Sequence, residues 1–365
     1  MIRVAFVRGA YLNKFEWQNY DISSKNLSIT PISSFKPITN IKNSTKMFSL
    51  TDLSKSKPVR YIANRTFGDS QVLFGLSKII GQFDIMHTAD PHYFYSYQLS
   101  KLKRDKPLVS TFWDTIPFNN ESTIRKKYIK KFSMKNTDLF ICHTKRAKKC
   151  IEIEGFGSKQ IEVISLGVDL KRFTPIKEKR KPFKTILFVG RLVEEKGVLD
   201  LYSAFKTYLG FSKYKKLRLL IVGEGPLKKE LTKKIITDKL KNYITIEQSS
   251  YDLIHKIYQK ADIFVTPSKT TKTWEEQYGM VLLEALASGL PIIAYDSGSV
   301  GEVLANQGIL IREGNIDSLT NSINRLIKYP VIRSKLGKEA RICAEKRYNC
   351  IDYKRKITNI YKSLI

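Results

Sequence analysis

Apolar residues fall in short unbroken runs along most of this chain, and the stretches between them mix apolar and polar residues at helical spacing. IRVAFV (2–7), FDIMHT (83–88), PLVSTF (107–112), TDLFICHT (137–144) and IEVISLGVD (161–169) are runs of strand length without polar alternation. Such runs predict strands buried on both faces, as in parallel sheets. YFYSYQLSKLKR (93–104) and KRAKKCIEIEG (145–155) read as helices between them. The first run leads straight into Arg8 and Gly9, the turn with which an open doubly wound domain begins.

The pattern then restarts. KEKRKPFK (177–184) is charged and broken by Pro182, as a linker is. Beyond it come strand runs TILFVG (185–190), LRLLIVGEGP (217–226), YITIEQ (243–248), DIFVTPS (262–268), PIIAYDSG (291–298) and GILI (308–311). Helical stretches lie between them at VLDLYSAFKTYL (198–209), LKKELTKKIITDKL (227–240) and LIHKIYQKA (253–261). The expected architecture is α/β, with two Rossmann-like doubly wound domains over 1–180 and 181–345 and a ligand cleft facing the strand carboxyl ends of both. The tail from about Arg333 reads as helical and charged.

A length of 365 residues suits two domains, and a hydrophobic share of 42% suffices for two cores. The formal net charge of +30 is spread over both halves, which favours anionic partners or reflects a Lys-rich solvated surface. Cys142, Cys150, Cys343 and Cys350 form no CxxC pair and only four histidines are present, so thiols in a reducing cytoplasm are expected, with no metal cluster. The apolar start is too short for a signal peptide, and no run approaches a spanning helix. A cytoplasmic protein, soluble or peripheral at the membrane, is the expectation.

Three segments carry candidate chemistry. In FVGRLVEEKG (188–197), Arg191 and Lys196 follow a buried strand and precede a helix, where a guanidinium, an ammonium and helix amides could together neutralise a diphosphate. The alternative is two ordinary surface cations beside Glu194 and Glu195. VGEGP (222–226) puts two glycines at a strand end, which lets a ligand approach the backbone, though any β-α turn can use Gly. EQYGMVLLEALASGLP (276–291) holds Glu276 before a helix expected from about Gly279, and Glu284 inside it, among Val281, Leu282, Ala285, Leu286 and Ala287. A carboxylate there needs donors, which sugar hydroxyls supply and a basic partner would equally supply. The amides at Gly279 and Met280 could serve an anion or a hydroxyl.

GRLVEEKG, VGEGPLKKEL, ADIFVTPS, the E-x7-E of EQYGMVLLEALASGLP and ISLGVDLKRF together resemble glycosyltransferase family 4, over nearly the whole chain. The resemblance implies a GT-B fold and retaining, metal-independent transfer from a nucleotide-sugar donor, UDP- or GDP-linked, to a glycan, lipid-linked or other hydroxyl acceptor, with no cofactor. By the same resemblance Arg191 and Lys196 bind the donor diphosphate, Glu276 contacts the transferred sugar, and Glu284 holds the ribose. Ser250 and Tyr251 would lie near the base, Gly9 near the phosphates, and a last helix over 346–365 would cross back onto the first domain. One departure stands out: many family members carry a His where this chain has Trp113, followed by Asp114. His87, Asp90 and Asp114 remain as candidates for the acceptor side. The basic amphipathic stretch IRKKYIKKFSMK (124–135) could rest on an anionic membrane or be a solvated helix. Nucleic-acid binding is the first rival reading, without a recognisable motif; another enzyme on the same fold, such as a sugar epimerase or a phosphorylase, is the second, and a catalytically inactive sugar-nucleotide-binding protein is the third.

Overall fold

The computed structural model describes residues 1–53, 69–176, 183–212 and 216–365. The chain divides into two compact units, Met1–Leu166 with Cys350–Ile365 and Gly167–Asn349. Residues 177–182 of the expected linker lie outside the described residues. The division falls after Leu166 rather than after 180, because the GVDLKRF segment is tied to the second unit. The Val168 amide donates to the Tyr348 carbonyl at 2.7 Å, and Arg341 Nη1 donates to the Phe173 carbonyl at 2.8 Å.

The first unit is built on a seven-stranded sheet of order β3-β2-β1-β4-β5-β6-β7. Its strands are β1 Ile2–Gly9, β2 Leu27–Ser34, β3 Thr45–Met47, β4 Ile85–Thr88, β5 Leu108–Phe112, β6 Leu139–Cys142 and β7 Gln160–Val163. Every pairing is parallel. β1, β4, β5 and β6 coincide with the apolar runs, and their Val4, Phe6, Ile85, Val109 and Phe140 are buried. β2 and β3 were not anticipated. LSITPISS is rich in Ser and Thr and contains Pro31, which argues against an interior strand. The sheet tolerates that proline because pairing with β3 begins only at Ile32, so Pro31 faces a partner strand on the β1 side alone.

The final helix, Cys350–Ser363, belongs to this first unit. Its Tyr353 hydroxyl bonds the Tyr20 hydroxyl, its Tyr361 hydroxyl lies 2.5 Å from His87 Nδ1, and Ile357 is fully buried between them in sequence.

The second unit carries a six-stranded parallel sheet of order β10-β9-β8-β11-β12-β13. Its strands are β8 Lys184–Val189, β9 Leu217–Val222, β10 Ile244–Glu247, β11 Ile263–Thr266, β12 Ile292–Tyr295 and β13 Ile309–Ile311. Ile186, Phe188, Ile263, Val265 and Ile293 pack with Leu201 and Phe205 of the helix Val198–Phe211 in one buried cluster. In both sheets the strand order reverses beside the first strand of the unit, between β1 and β4 and between β8 and β11. Loops leaving the carboxyl ends of strands at such a reversal diverge and leave room for a ligand.

Candidate functional site

At the reversal in the second sheet, the turn after β8 is held against the end of β11. Gly197 adopts φ 63°, and a Cβ there would come within 1.8 Å of the Pro267 carbonyl oxygen, so only glycine permits the contact. The short 3-10 turn Glu194–Lys196 therefore delivers Lys196 to the loop that follows β11. Lys196 Nζ donates to Glu276 Oε2 at 2.6 Å, and the Ser268 hydroxyl donates to the same oxygen at 2.8 Å. The ammonium also sits 4.7 Å from the centre of the Trp274 ring. The pair is mostly shielded from water, with 17% of the lysine side chain and 10% of the glutamate side chain exposed.

The main chain of Glu276 is clamped from a third element. The Ser299 amide donates to its carbonyl at 2.8 Å, and a Cβ on Gly298 would lie 2.4 Å from that same oxygen. Loops after β8, β11 and β12 thus converge on Glu276, the first two on its carboxylate and the third on its main chain.

From Glu276 the chain enters the helix Met280–Ala287 through Gly279, which caps it in the left-handed region at φ 77° and supplies no side-chain cap. The first-turn amides at Met280 and its neighbours carry the positive end of the helix dipole. Glu284 lies inside the helix and is 4% exposed. Its partner is neutral: the Tyr258 hydroxyl donates to Glu284 Oε2 at 2.7 Å. Burial pushes the Glu284 carboxyl up to about 7, with the Tyr258 hydrogen bond and the positive charge of Arg172 pulling the other way.

Arg172 in turn lies with its guanidinium carbon 4.2 Å from the centre of the Tyr251 ring, and its Nε is 3.4 Å from His255 Nδ1. Glu284, Tyr258, Arg172 and Tyr251 therefore form a second group along the same helix. Ser250 is exposed, its carbonyl accepting from the Leu253 and Ile254 amides. Arg191 stands apart from both groups, 60% exposed and paired with Glu195 at 3.2 Å.

The glycine turn 222–226 serves the chain itself. A Cβ on Gly223 would lie 1.9 Å from the Gly190 carbonyl oxygen, and one on Gly225 would lie 2.3 Å from that of Leu192. The backbone these glycines admit is the turn after β8, so of the two readings left open by the sequence the packing accounts for the ordinary β-α turn.

In the first unit, Gly9 ends β1 at φ 53°, where a Cβ would meet the Gln71 side-chain oxygen at 2.8 Å. His87 is fully buried, with Nδ1 on Tyr361 and Nε2 on the Thr111 hydroxyl at 2.7 Å. Burial, followed by the charges of Arg8 and His143, holds it well below the ordinary imidazole range. Both nitrogens are engaged, so His87 has none to offer an acceptor and is a packed, hydrogen-bonded histidine.

Asp90 and Asp114 are brought together, both buried. Asp90 accepts from the Trp113 amide at 2.7 Å, and burial together with the charge of Asp114 pushes it up to about 7. Burial would raise Asp114 as well, but His92, Lys130 and the Asn120 amide outweigh it and hold the carboxyl below its usual range. Of the two, Asp90 is therefore the carboxyl that takes up a proton first as pH falls. Trp113 packs edge-on against His143, ring centres 4.5 Å apart.

Sequence reading missed Ser268, Trp274, Tyr258, Arg172 and His92. Ser268 and Arg172 lie inside the motifs ADIFVTPS and ISLGVDLKRF; nothing local marks the other three.

Two parallel sheets of seven and six strands, each reversing its strand order beside its first strand, are the architecture of a class, the GT-B glycosyltransferases. The profile of glycosyl transferases group 1 matches residues 171–342, and that of Glycosyltransferase Family 4 matches residues 55–172. The chain is 29% identical over 320 residues to the UDP-Gal:alpha-D-GlcNAc-diphosphoundecaprenol alpha-1,3-galactosyltransferase of Escherichia coli, covering 81% of this chain and 80% of that one. It is 30% identical over 223 residues to the GDP-mannose-dependent monoacylated alpha-(1-6)-phosphatidylinositol monomannoside mannosyltransferase of Corynebacterium glutamicum, covering 57% and 58%. Anabaena HepE, solved in complex with UDP and glucose, superimposes with a TM-score of 0.78 at 16% identity and full coverage of both chains. This chain belongs to the family 4-like glycosyltransferases.

Proposed function

We propose that this glycosyltransferase moves a hexosyl unit, with retention and without a metal, from a nucleoside diphosphate sugar to a hydroxyl of a glycan or lipid-linked acceptor. The observation that carries the reading is the Lys196–Glu276 pair beside the uncapped start of the helix Met280–Ala287. A departing diphosphate gathers negative charge while the sugar gains oxocarbenium character, and fixed positive groups lower that barrier. Lys196 and the helix amides supply such charge, and Arg191, exposed on the same turn, adds a planar anion grip. Glu276 lies next to the cation and serves the positive side of the transition state at the sugar. Glu284 accepts from the ribose hydroxyls, with Tyr258 holding the carboxylate in place, and Tyr251 and Ser250 flank the base. In a front-face route the leaving phosphate takes the acceptor proton, so no protein base is required.

The activities for which relatives are named support the substrate class, since they specify UDP-galactose and GDP-mannose donors and lipid-linked acceptors. HepE has been captured with UDP and glucose. We also place the enzyme at an anionic membrane face. On the helix Ile124–Asn136, Ile124 is 91% exposed and Tyr128 is 55% exposed, beside the exposed Arg125, Lys127 and Lys131. Among the described residues no helix is long and apolar enough to cross a membrane, so such contact would be peripheral.

The test is a hydrolysis screen over UDP-glucose, UDP-galactose, UDP-N-acetylglucosamine and GDP-mannose. The wild type should cleave at least one donor; Lys196→Ala should raise its KM and Glu276→Ala should mainly lower kcat. Unchanged activity in both variants would remove the site assignment.

A further inference from the structure

The reversal point of the first sheet holds a group of side chains that the donor chemistry leaves unused. Tyr11 follows β1, His92 and Tyr93 follow β4, and Asp114 follows β5, so three neighbouring strands send these residues out from their carboxyl ends. The Tyr11 and Tyr93 rings have centres 5.0 Å apart, Tyr93 stacks on Tyr95 at 5.2 Å, and the His92 ring centre is 4.2 Å from that of Tyr93. Tyr11 is 37% exposed, which leaves part of this aromatic row open to solvent.

His92 is the polar tip of the row. Its Nδ1 is 3.6 Å from Asp114 Oδ2, and 15% of the side chain remains exposed. Nδ1 itself is buried without a hydrogen-bond partner among the described residues, so the exposed surface lies elsewhere on the side chain. Tyr95 is fully buried and its hydroxyl likewise has no hydrogen-bond partner among the described residues. Burial disfavours the imidazolium, but Asp114, Asp90 and Asp69 outweigh it and raise His92 above its ordinary range. The charges behind those acids are Arg8, acting on Asp90, and Lys130, acting on Asp114.

An aromatic face with a few convergent polar groups at its edge is how a protein receives a ring that is apolar on its faces and hydroxylated at its rim. We propose that Tyr11 and Tyr93 form the platform for a carbohydrate acceptor and that His92, braced by Asp114, holds the acceptor through a hydrogen bond to one of its hydroxyls. This rests on the transferase reading above and names the sugar-bearing end of its second substrate.

Two measurements test the proposal. The first uses proton NMR of the four histidines, with His92 assigned by His92→Gln. Its ring should titrate above ordinary imidazole, fall in Asp114→Asn, and shift when n-octyl glucoside, galactoside, mannoside or N-acetylglucosaminide is added. A His92 ring that ignores all four glycosides would overturn the acceptor role, whatever donor the enzyme uses. The second measures transfer to these glycosides from the donor found by hydrolysis. His92→Ala should raise acceptor KM about tenfold with donor KM moved by less than about twofold, and His92→Gln, which keeps a hydrogen-bonding end, should recover part of the loss. Hydrolysis by the wild type with transfer to none of the glycosides, or transfer by His92→Ala equal to wild type, sinks this inference alone. A wild type that cleaves no donor sinks the transferase reading instead.

Discussion

Glu276 and Glu284 stand eight residues apart, one on the loop before the helix Met280–Ala287 and one inside it, and the fold treats them in opposite ways. Glu276 is met by a cation at 2.6 Å and a hydroxyl at 2.8 Å, on a loop pinned by neighbours after β8 and β12. Glu284 is sunk in the helix core and is given only a tyrosine hydroxyl, so that burial lifts it to about 7. The first carboxylate is held as half of an ion pair; the second is poised between its charged and neutral forms. A group meant to face a developing positive charge must stay anionic, whereas a group that only accepts hydroxyls can tolerate a weaker hold on its charge.

The sharpest way to break that contrast is to remove the cation. Lys196→Met should lower kcat/KM for the donor by about a hundredfold or more, since removal of one transition-state stabilising group typically has that effect. It should also destabilise the fold by about 2 kcal/mol, because Glu276 is then left with its charge shielded from water and unpaired. Adding Glu276→Gln should restore most of the stability and none of the activity. Urea melts of the single and double variants decide this: strictly additive losses would mean that the two side chains do not depend on one another.

Glu284→Gln should act on stability with the other sign and with a pH signature. The carboxyl titrates near 7 in the folded protein against about 4.5 in the unfolded chain. From about 4.5 upward the unfolded state therefore loses its proton first, so wild-type stability falls as pH climbs, until both states are ionised above about 7. Glutamine removes that loss. The variant should be more stable than wild type above pH 7, by on the order of 1–3 kcal/mol, and should show no advantage near pH 4. Glu276→Gln alone should bring no such gain. Thermal melts between pH 4 and 8 measure both, and an advantage independent of pH would show that the burial cost does not come from ionisation.

What could be read from the chain and what could not divide along physical lines. Parallel strands buried on both faces are written as continuous apolar runs, which is why β1, β8, β11 and β12 are legible. β2 is not, because Pro31 and the serines conceal a strand whose partner on one side starts one residue later. Short-range order places Lys196 at a strand end and Glu276 before a helix. Their pairing depends on the absence of a side chain at Gly197, where a Cβ would come within 1.8 Å of the Pro267 carbonyl oxygen, a packing fact with no local sign in the sequence. The two glycines of VGEGP leave two readings open in the sequence, a ligand or a β-α turn, and only the packing shows that they admit the chain's own backbone. Likewise His87 and His92 lie five positions apart with the same chemistry. Only the partners on each nitrogen separate a core histidine from one at an open edge.

The finest probe of the comparison is the tyrosine hydroxyl that distinguishes the environment of Glu284 from that of Glu276. Its hydrogen bond pulls the carboxyl down against the burial that pushes it up, so Tyr258→Phe should move Glu284 to a higher pKa. If ribose hydroxyls bind the ionised form, affinity for an intact nucleotide sugar, whose diphosphate does not titrate in this range, should rise as pH climbs through about 7 in the wild type. In Tyr258→Phe the same rise should come at higher pH, with affinity at pH 7 lower by about threefold to tenfold, the net worth of an ordinary hydrogen bond. In Glu284→Gln the rise should vanish. Calorimetric titrations of the three proteins from pH 6 to 9 compare them directly. A pH dependence that survives in Glu284→Gln would assign the titrating group elsewhere and leave Glu284 as a packing residue that happens to be acidic.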